Sequence, residues 1–397
     1  MKILALYLPQ YHETPENNEW WEPGFTEWTN MKRAESLMEG HYQPRIPLNN
    51  NYYDLTDVEV MRWQTEIARA HGVYGFCVYH YWFDGKLILE KPMENYLKEE
   101  SIDFPYCFCW ANDEWTNVWK GESDSIKTLA MNHYDNPKDW EDHFYYMLPF
   151  FRDRRYIKED NRPVYFIYNP VKLSYRQMKN MMKLWNRLAK ENGFAGIRFI
   201  YQAGNSFVTM SERQRRLFDY GAEYLPSLTE WNEKSKLSRF KLRLRFRAGQ
   251  IIRSFKKTLL DKKLDDGADS KQSIKVMQDY DDQWQKALAM KHKWKNIIPG
   301  AFTDWDNTPR YKRGGKVIFG ACPEKFRQYL EKQIARARDE LGMDTILMFA
   351  WNEWSEGGYL EPDSKYGYGY LEAIKQALLD TDEWPEEYRP EAFKIRK

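Results

Sequence analysis

Glu353 and Glu356 stand three residues apart in the run Trp351-Asn352-Glu353-Trp354-Ser355-Glu356-Gly357-Gly358, directly after the apolar stretch 345–350. A short, bounded apolar run reads as a buried strand. The two carboxylates, the amide, the two indoles and the paired glycines just beyond it are a composition that a core cannot use. On a continued strand the glutamates would face opposite ways, but the glycines favour a turn, and in a turn residues three apart come onto one side. Two carboxyls so placed can cleave a glycosidic bond. Retaining chemistry sets them roughly 5 Å apart, with the surroundings keeping one protonated and the other ionised. The tryptophans offer flat faces to sugar rings, and Asn352 offers an amide to a hydroxyl. The competing reading is a capping or salt-bridged pair in a loop.

Such a pair needs a scaffold. Strand-like runs recur at 3–8, 74–81, 104–110, 164–168, 197–202, 222–225, 298–302 and 345–351, with helical patterns between most of them, including 58–70, 140–151, 175–191 and 323–341. Eight strands alternating with helices predict a parallel sheet, and a closed (β/α)8 barrel of the TIM type accounts for both the count and the length of 397 residues. A doubly wound open sheet is disfavoured because no Gly-x-Gly-x-x-Gly follows a strand.

In a barrel the chemistry sits where the strands end. The first strand runs out into Tyr7, Gln10, Tyr11 and His12, the second into Tyr79-His80-Tyr81-Trp82, the third into Trp110-Ala111-Asn112-Asp113, the fifth into Gln202 and the seventh into Asp304-Trp305-Asp306. A long connection, residues 10–57, carries Trp28 and His41 and is expected to wall the cleft. The expected catalytic residues are Glu353 and Glu356. The expected substrate-binding residues are Tyr7, Tyr11, Trp28, His41, Tyr79, His80, Tyr81, Trp82, Trp110, Asn112, Asp113, Gln202, Asp306, Trp351 and Asn352.

Composition supports a carbohydrate partner and argues against nucleic acid. Aromatic residues make up 17% of the chain, with 17 Trp and 28 Tyr, while the formal net charge is only +1. Cys77, Cys107 and Cys109 lie in apolar runs and are expected to be buried free thiols; Cys322 completes the set. The opening apolar run is too short for a signal peptide and is followed by no small-residue cleavage site, so a cytoplasmic location is expected.

Taken together, the phrases Tyr7-Leu8-Pro9-Gln10-Tyr11-His12, Gly24-Phe25-Thr26-Glu27-Trp28, Gly40-His41-Tyr42-Gln43-Pro44, Tyr79-His80-Tyr81-Trp82-Phe83, Trp305-Asp306-Asn307-Thr308-Pro309-Arg310 and Trp351 to Gly357 resemble the WbsX family of polysaccharide-biosynthesis proteins, related to glycoside hydrolase family 99. The resemblance implies a barrel with a retaining site that needs no metal or other cofactor. It implies that Glu353 deprotonates the 2-hydroxyl of the sugar, which attacks its own anomeric carbon to give a 1,2-anhydro sugar, and that Glu356 serves as acid and then base. It further implies a role in bacterial surface polysaccharide, lipopolysaccharide or capsule. One departure is visible: Asp113 follows Asn112 where the family phrase has Glu, a reach one methylene shorter.

Other signals compete. Asp304-Trp305-Asp306 spells the Asp-x-Asp with which many nucleotide-sugar transferases hold a divalent metal, which keeps a nucleotide-sugar-dependent glycosyltransferase open as an alternative. A non-catalytic carbohydrate-binding barrel is another. The segment from Lys234 to Leu260 is rich in Lys and Arg, lacks acidic residues and places apolar residues near helical spacing, so it is expected to form a basic helix that could hold the protein on an anionic membrane surface. The expected layout is one catalytic domain over 1–380, including a basic insertion at 229–295, followed by a C-terminal tail at 381–397.

Overall fold

The computed structural model describes residues 1–116, 128–204, 210–232, 276–292 and 294–396. The segment from Lys234 to Leu260 lies outside them. Eight strand positions form a ring of parallel strands: Lys2–Tyr7, Val73–Phe83, Tyr106–Trp110, Arg162–Ile167, Arg198–Ala203, Tyr220–Glu223, a seventh position in two pieces, and Thr345–Phe349. The seventh strand is interrupted at Pro299. Ile297–Ile298 pairs with the sixth strand and Gly300–Phe302 with the eighth, which in turn pairs with the first. Proline supplies no N–H to a ladder, so the break falls where one strand changes partner. The protein is a (β/α)8 barrel.

Helices cover the ring for reasons legible in their sequences. Val58–Ala70 is capped by Asp57, whose carboxylate accepts from the Glu59 N–H at 3.0 Å, and it buries Met61, Gln64, Thr65 and Ala68 at helical spacing. Tyr175–Glu191 opens on a reciprocal capping box between Ser174 and Gln177 and buries Met178, Met181, Met182, Trp185, Leu188 and Ala189. Pro323–Ala335 continues through a widened turn, Arg336–Leu341, to Gly342 in the left-handed region.

Within 229–295, Val276–Asp279 pairs in parallel with Lys316–Phe319, and Tyr280–Leu288 packs Trp284 against Phe302 and Tyr329, so these residues are part of the barrel's helical layer. Residues 381–396 of the C-terminal tail pack against the barrel. Phe393 and Ile395 are buried, Asp344 donates its N–H to the Ile395 carbonyl, and Ile395 donates to Glu159, which closes the bottom of the barrel. Cys77, Cys107 and Cys109 are buried free thiols. Among the described residues, no helix is long and apolar enough to cross a membrane.

Candidate active site

The eighth strand ends in a tight hairpin: Asn352–Glu353 pairs antiparallel with Gly358–Tyr359 around a helical turn, Trp354–Glu356. Gly357 makes this possible. It is left-handed (φ 72°), and a Cβ there would lie 2.7 Å from the Asp306 nitrogen. The turn puts Glu353 and Glu356 on one guanidinium. Arg310 donates from Nη1 to Glu356 Oε1 at 2.5 Å and from Nη2 to Glu353 Oε2 at 3.2 Å. Its remaining edge faces Glu27, whose Oε1 accepts from Nε at 2.7 Å and lies 2.5 Å from Nη2. Arg310 stands in the short helix Thr308–Tyr311 after the seventh strand, and Glu27 in Glu27–Lys32 of the long first connection.

The turn is held from behind. Asn352 accepts from the Leu8 N–H at 2.7 Å and donates to the Leu8 carbonyl at 3.0 Å, while Tyr11 donates to the Asn352 carbonyl. Glu361 accepts from both indoles, Trp351 Nε1 at 3.1 Å and Trp354 Nε1 at 2.7 Å, and from Tyr53 and Gln64. Asp306 donates its N–H to the Glu356 carbonyl at 2.7 Å, and Arg45 reaches the Gly357 carbonyl at 3.1 Å.

Burial sets the charge state. It pushes the Glu353 carboxyl up to about 8, against the pull of Arg310 and with the push of Glu356 and Glu27. Glu356 is raised for the same first reason, again opposed by Arg310. Two carboxylates held on one guanidinium share their titration, and burial favours retaining a proton on the pair. Glu361 is also lifted by burial, to about 7, although four donors oppose the shift.

Glu356 opens on a cavity of about 270 Å³ at the ends of the strands. Tyr168, Tyr224, Trp305 and Tyr311 supply ring surface there, and Asp113, Asn169, Gln202, Asn307 and Lys316 supply polar groups. Asp113 accepts from Asn169 at 2.6 Å, and burial raises its carboxyl. Buried carboxyls, flat rings and amides are the groups that can stack on and hydrogen-bond a polyhydroxylated ligand.

The expected site residues divide into three groups. Glu353, Glu356, Tyr79, Tyr81, Asp113 and Gln202 come together: Tyr79 packs against Tyr168 and feels Glu353, Tyr81 feels Glu353, Arg310 and Glu27, and the other two line the cavity. A second group supports the turn and the loop around it. Besides Tyr11, Trp351 and Asn352, it includes Trp28, which donates to the Tyr53 carbonyl at 2.8 Å, and His41, 2.9 Å from Asp306. Asp306 is fully buried; Gln43 and Thr308 also bind it, and Arg45 takes Asp304 at 2.8 Å, so both carboxylates of the Asp-x-Asp are engaged within the protein. Among the described residues no group of three or more His, Cys, Asp or Glu is arranged to hold a metal ion.

The third group points elsewhere. Alternation on the second strand sends Tyr79 and Tyr81 inward and His80 and Trp82 outward to the helix Pro137–Arg152. There His80 lies 2.9 Å from His143, and Trp82 stacks on His143 and donates to Asp139 at 2.9 Å. Trp110, in register with His80, shares that outer side and donates to the Trp82 carbonyl at 3.2 Å. Asn112 bridges Tyr134 and Asn169, and Tyr7 donates to Gln64 at 2.7 Å in the core. Residue-by-residue reading of the chain passed over Glu27 and Arg310. Their one signal was a charge set inside an otherwise aromatic, turn-rich phrase.

Residues 3–374 match the model of a family described as Glycosyltransferase WbsX. Proteins named uncharacterized protein WxcX from two strains of Xanthomonas campestris pv. campestris are each 31% identical over 378 residues, 95% of this chain and 49% of theirs. The chain thus spans about half the length of the curated relatives it matches. Among solved structures, the GH99 endo-α-mannosidase of Bacteroides thetaiotaomicron aligns with a TM-score of 0.52 at 12% identity, covering 96% of this chain and 97% of that one. A glycoside hydrolase-like protein aligns with a TM-score of 0.57 at 14% identity, covering 95% and 93%. At such identities the likeness is one of fold.

Proposed function

The chain belongs to the WbsX glycosyltransferase family, and on that premise we propose that it is a carbohydrate-active enzyme that cleaves or transfers a glycosidic bond with retention, in bacterial surface polysaccharide metabolism or biosynthesis. The observation that carries the reading is the Glu353–Glu356 pair, buried, sharing one guanidinium, and opening through Glu356 on a cavity lined by rings and amides. Glu356, at the cavity wall, protonates the leaving oxygen and then deprotonates the incoming hydroxyl. With the proton shared by the pair resting on Glu356, the ionised Glu353, deeper and made more basic by burial, takes the proton of the sugar's 2-hydroxyl, which closes on the anomeric carbon as the leaving group departs. The incoming hydroxyl then opens that ring from the opposite face, so configuration is retained. No step in this sequence calls for a metal ion.

Tyr79, Tyr81, Asp113, Gln202, Tyr168, Tyr224 and Trp305 are proposed to hold the sugar. The enzyme is proposed to act at the cytoplasmic face, with the segment from Lys234 to Leu260 on anionic lipid. Flotation with anionic and neutral vesicles tests this, and equal binding by wild type and a charge-neutralised segment would dispose of it.

A second reading is a transferase that uses a nucleotide-sugar donor, favoured by the description that the family carries. Mass spectrometry of α-mannosidic and bacterial surface oligosaccharides incubated with wild type or Glu356→Gln, with and without nucleotide sugars, separates the two. Shortened or rearranged glycans without nucleotide, from wild type alone, are expected. Lengthened glycans that require nucleotide would replace the first reading with the second, and binding without turnover would leave a carbohydrate-binding barrel.

A further inference from the structure

We propose that Glu27 and Arg310 act as a charge clamp that positions the Glu353–Glu356 pair and keeps a single proton on it, an inference that rests on the glycosidic reading of that pair. A guanidinium is a planar fork whose donors have fixed directions. Glu27 occupies the Nε/Nη2 edge at 2.7 and 2.5 Å, so the plane of Arg310 is set by a carboxylate that is itself fully buried and belongs to a different connection of the barrel. With that plane set, Nη1 is directed at Glu356, and Nη2, shared with Glu27, at Glu353. The Glu27 helix is tied to the same turn through Ser355, whose hydroxyl lies 3.5 Å from the Glu27 carbonyl. Arg310 and Glu27 are therefore positioning residues, and they act through the glutamates.

The charge count gives the second half of the argument. Three carboxylates meet one guanidinium in a site where all four side chains are largely withdrawn from water. Fully ionised, the cluster would carry two uncompensated negative charges in low dielectric; one proton reduces this to one. The hydroxyls of Tyr11, Tyr79, Tyr81, Tyr168 and Tyr224 also face the cluster, all raised by burial and so neutral across the working range, and Asp113 and Lys316 line the cavity on which Glu356 opens. Arg310 is the cation in direct contact with all three carboxylates. Arg310 and Glu27 consequently pull the pair in opposite directions: the cation favours losing its proton, and the third carboxylate favours keeping it.

Opposite charge changes must then move the pair in opposite directions, which mere structural support would not do. In Glu27→Gln the deprotonation of the pair is expected to move to lower pH by at least about one pH unit, and in Arg310→Gln to higher pH by a similar amount. Arg310→Lys keeps the charge but not the fork, so its titration stays near that of wild type while kcat falls at least about tenfold. The titration is read in two ways, from the basic limb of kcat/KM on a cleaved oligosaccharide and from carbon-13 NMR of glutamate-labelled protein, with the signals assigned by their loss in Glu353→Gln and Glu356→Gln. The NMR arm needs no turnover, so a protein that cleaves nothing would sink the glycosidic reading and leave the clamp to be judged by titration alone. If Arg310→Gln fails to fold, Glu27→Gln decides by itself: a shift to lower pH supports the clamp. No shift, or shifts of the same sign in both variants, would overturn it.

Discussion

Two buried carboxylate sites in this barrel use the same residue types to opposite ends. At the sixth strand Glu223 is fully buried and accepts from four donors: Arg336 through both terminal nitrogens at 2.8 and 3.1 Å, His292 at 2.6 Å and the Gly300 N–H at 3.0 Å. Burial alone would raise its carboxyl, but His292 and Arg336 outweigh it and hold the group down at about 2. At the eighth strand one guanidinium serves Glu27, Glu353 and Glu356, and at Glu353 and Glu356 burial wins. The ratio of donors to carboxylates separates the two. Surplus donors make a carboxylate a permanent anion that ties strands together, whereas a shortage leaves protons that can be exchanged with a substrate.

The largest effect should come from the under-served site. Glu356→Gln is expected to lower turnover by about 10²–10⁴-fold with the fold intact, read by product formation and circular dichroism. The saturated site should answer in stability. Glu223→Gln leaves Arg336 buried without its full partner and is expected to cost about 3–5 kcal/mol in denaturant unfolding.

The two sites should also differ in the sign of their pH dependence. Glu223 is depressed, so its contribution is fully present above the unfolded carboxyl range near 4.5 and is lost as pH falls toward 2. Glu353 is raised, so the native site keeps a proton that the unfolded chain has released, and stability falls as pH rises from about 4.5 to about 8. Unfolding of Glu353→Gln at pH 8 should therefore show a protein more stable than wild type, with the gap closing at pH 4.5. A gap that stayed constant with pH would remove the assignment of a proton to this site. The smallest effect is expected on the outer face of the second strand. Asp139→Ala removes the acceptor of Trp82 and should cost about 1 kcal/mol while leaving turnover within about twofold.

Much of the scaffold was legible without coordinates. The eight apolar runs all lie on barrel strands, and 58–70 and 175–191 are helices with those limits, because hydrophobic period and caps are local properties. The turn at Trp354–Glu356 was legible too, because the glycines that permit it sit beside the glutamates. Facing was not. His80, Trp82 and Trp110 stand in the same short phrases as Tyr79 and Tyr81, yet alternation on a strand covered on both sides turns them toward helix Pro137–Arg152, and both faces read as equally apolar and aromatic.

What the sequence by itself determined is therefore the barrel, the position of the glutamate pair at the end of its last strand, and the rings gathered at the other strand ends. Only the tertiary structure decided which of those rings face the cleft, and that Glu27 and Arg310 complete the pair from 326 and 43 residues before Glu353. The physical reason is that periodicity and turn chemistry act between neighbours in the chain, whereas the charge balance of a buried site depends on which distant side chains the closed ring brings onto one guanidinium.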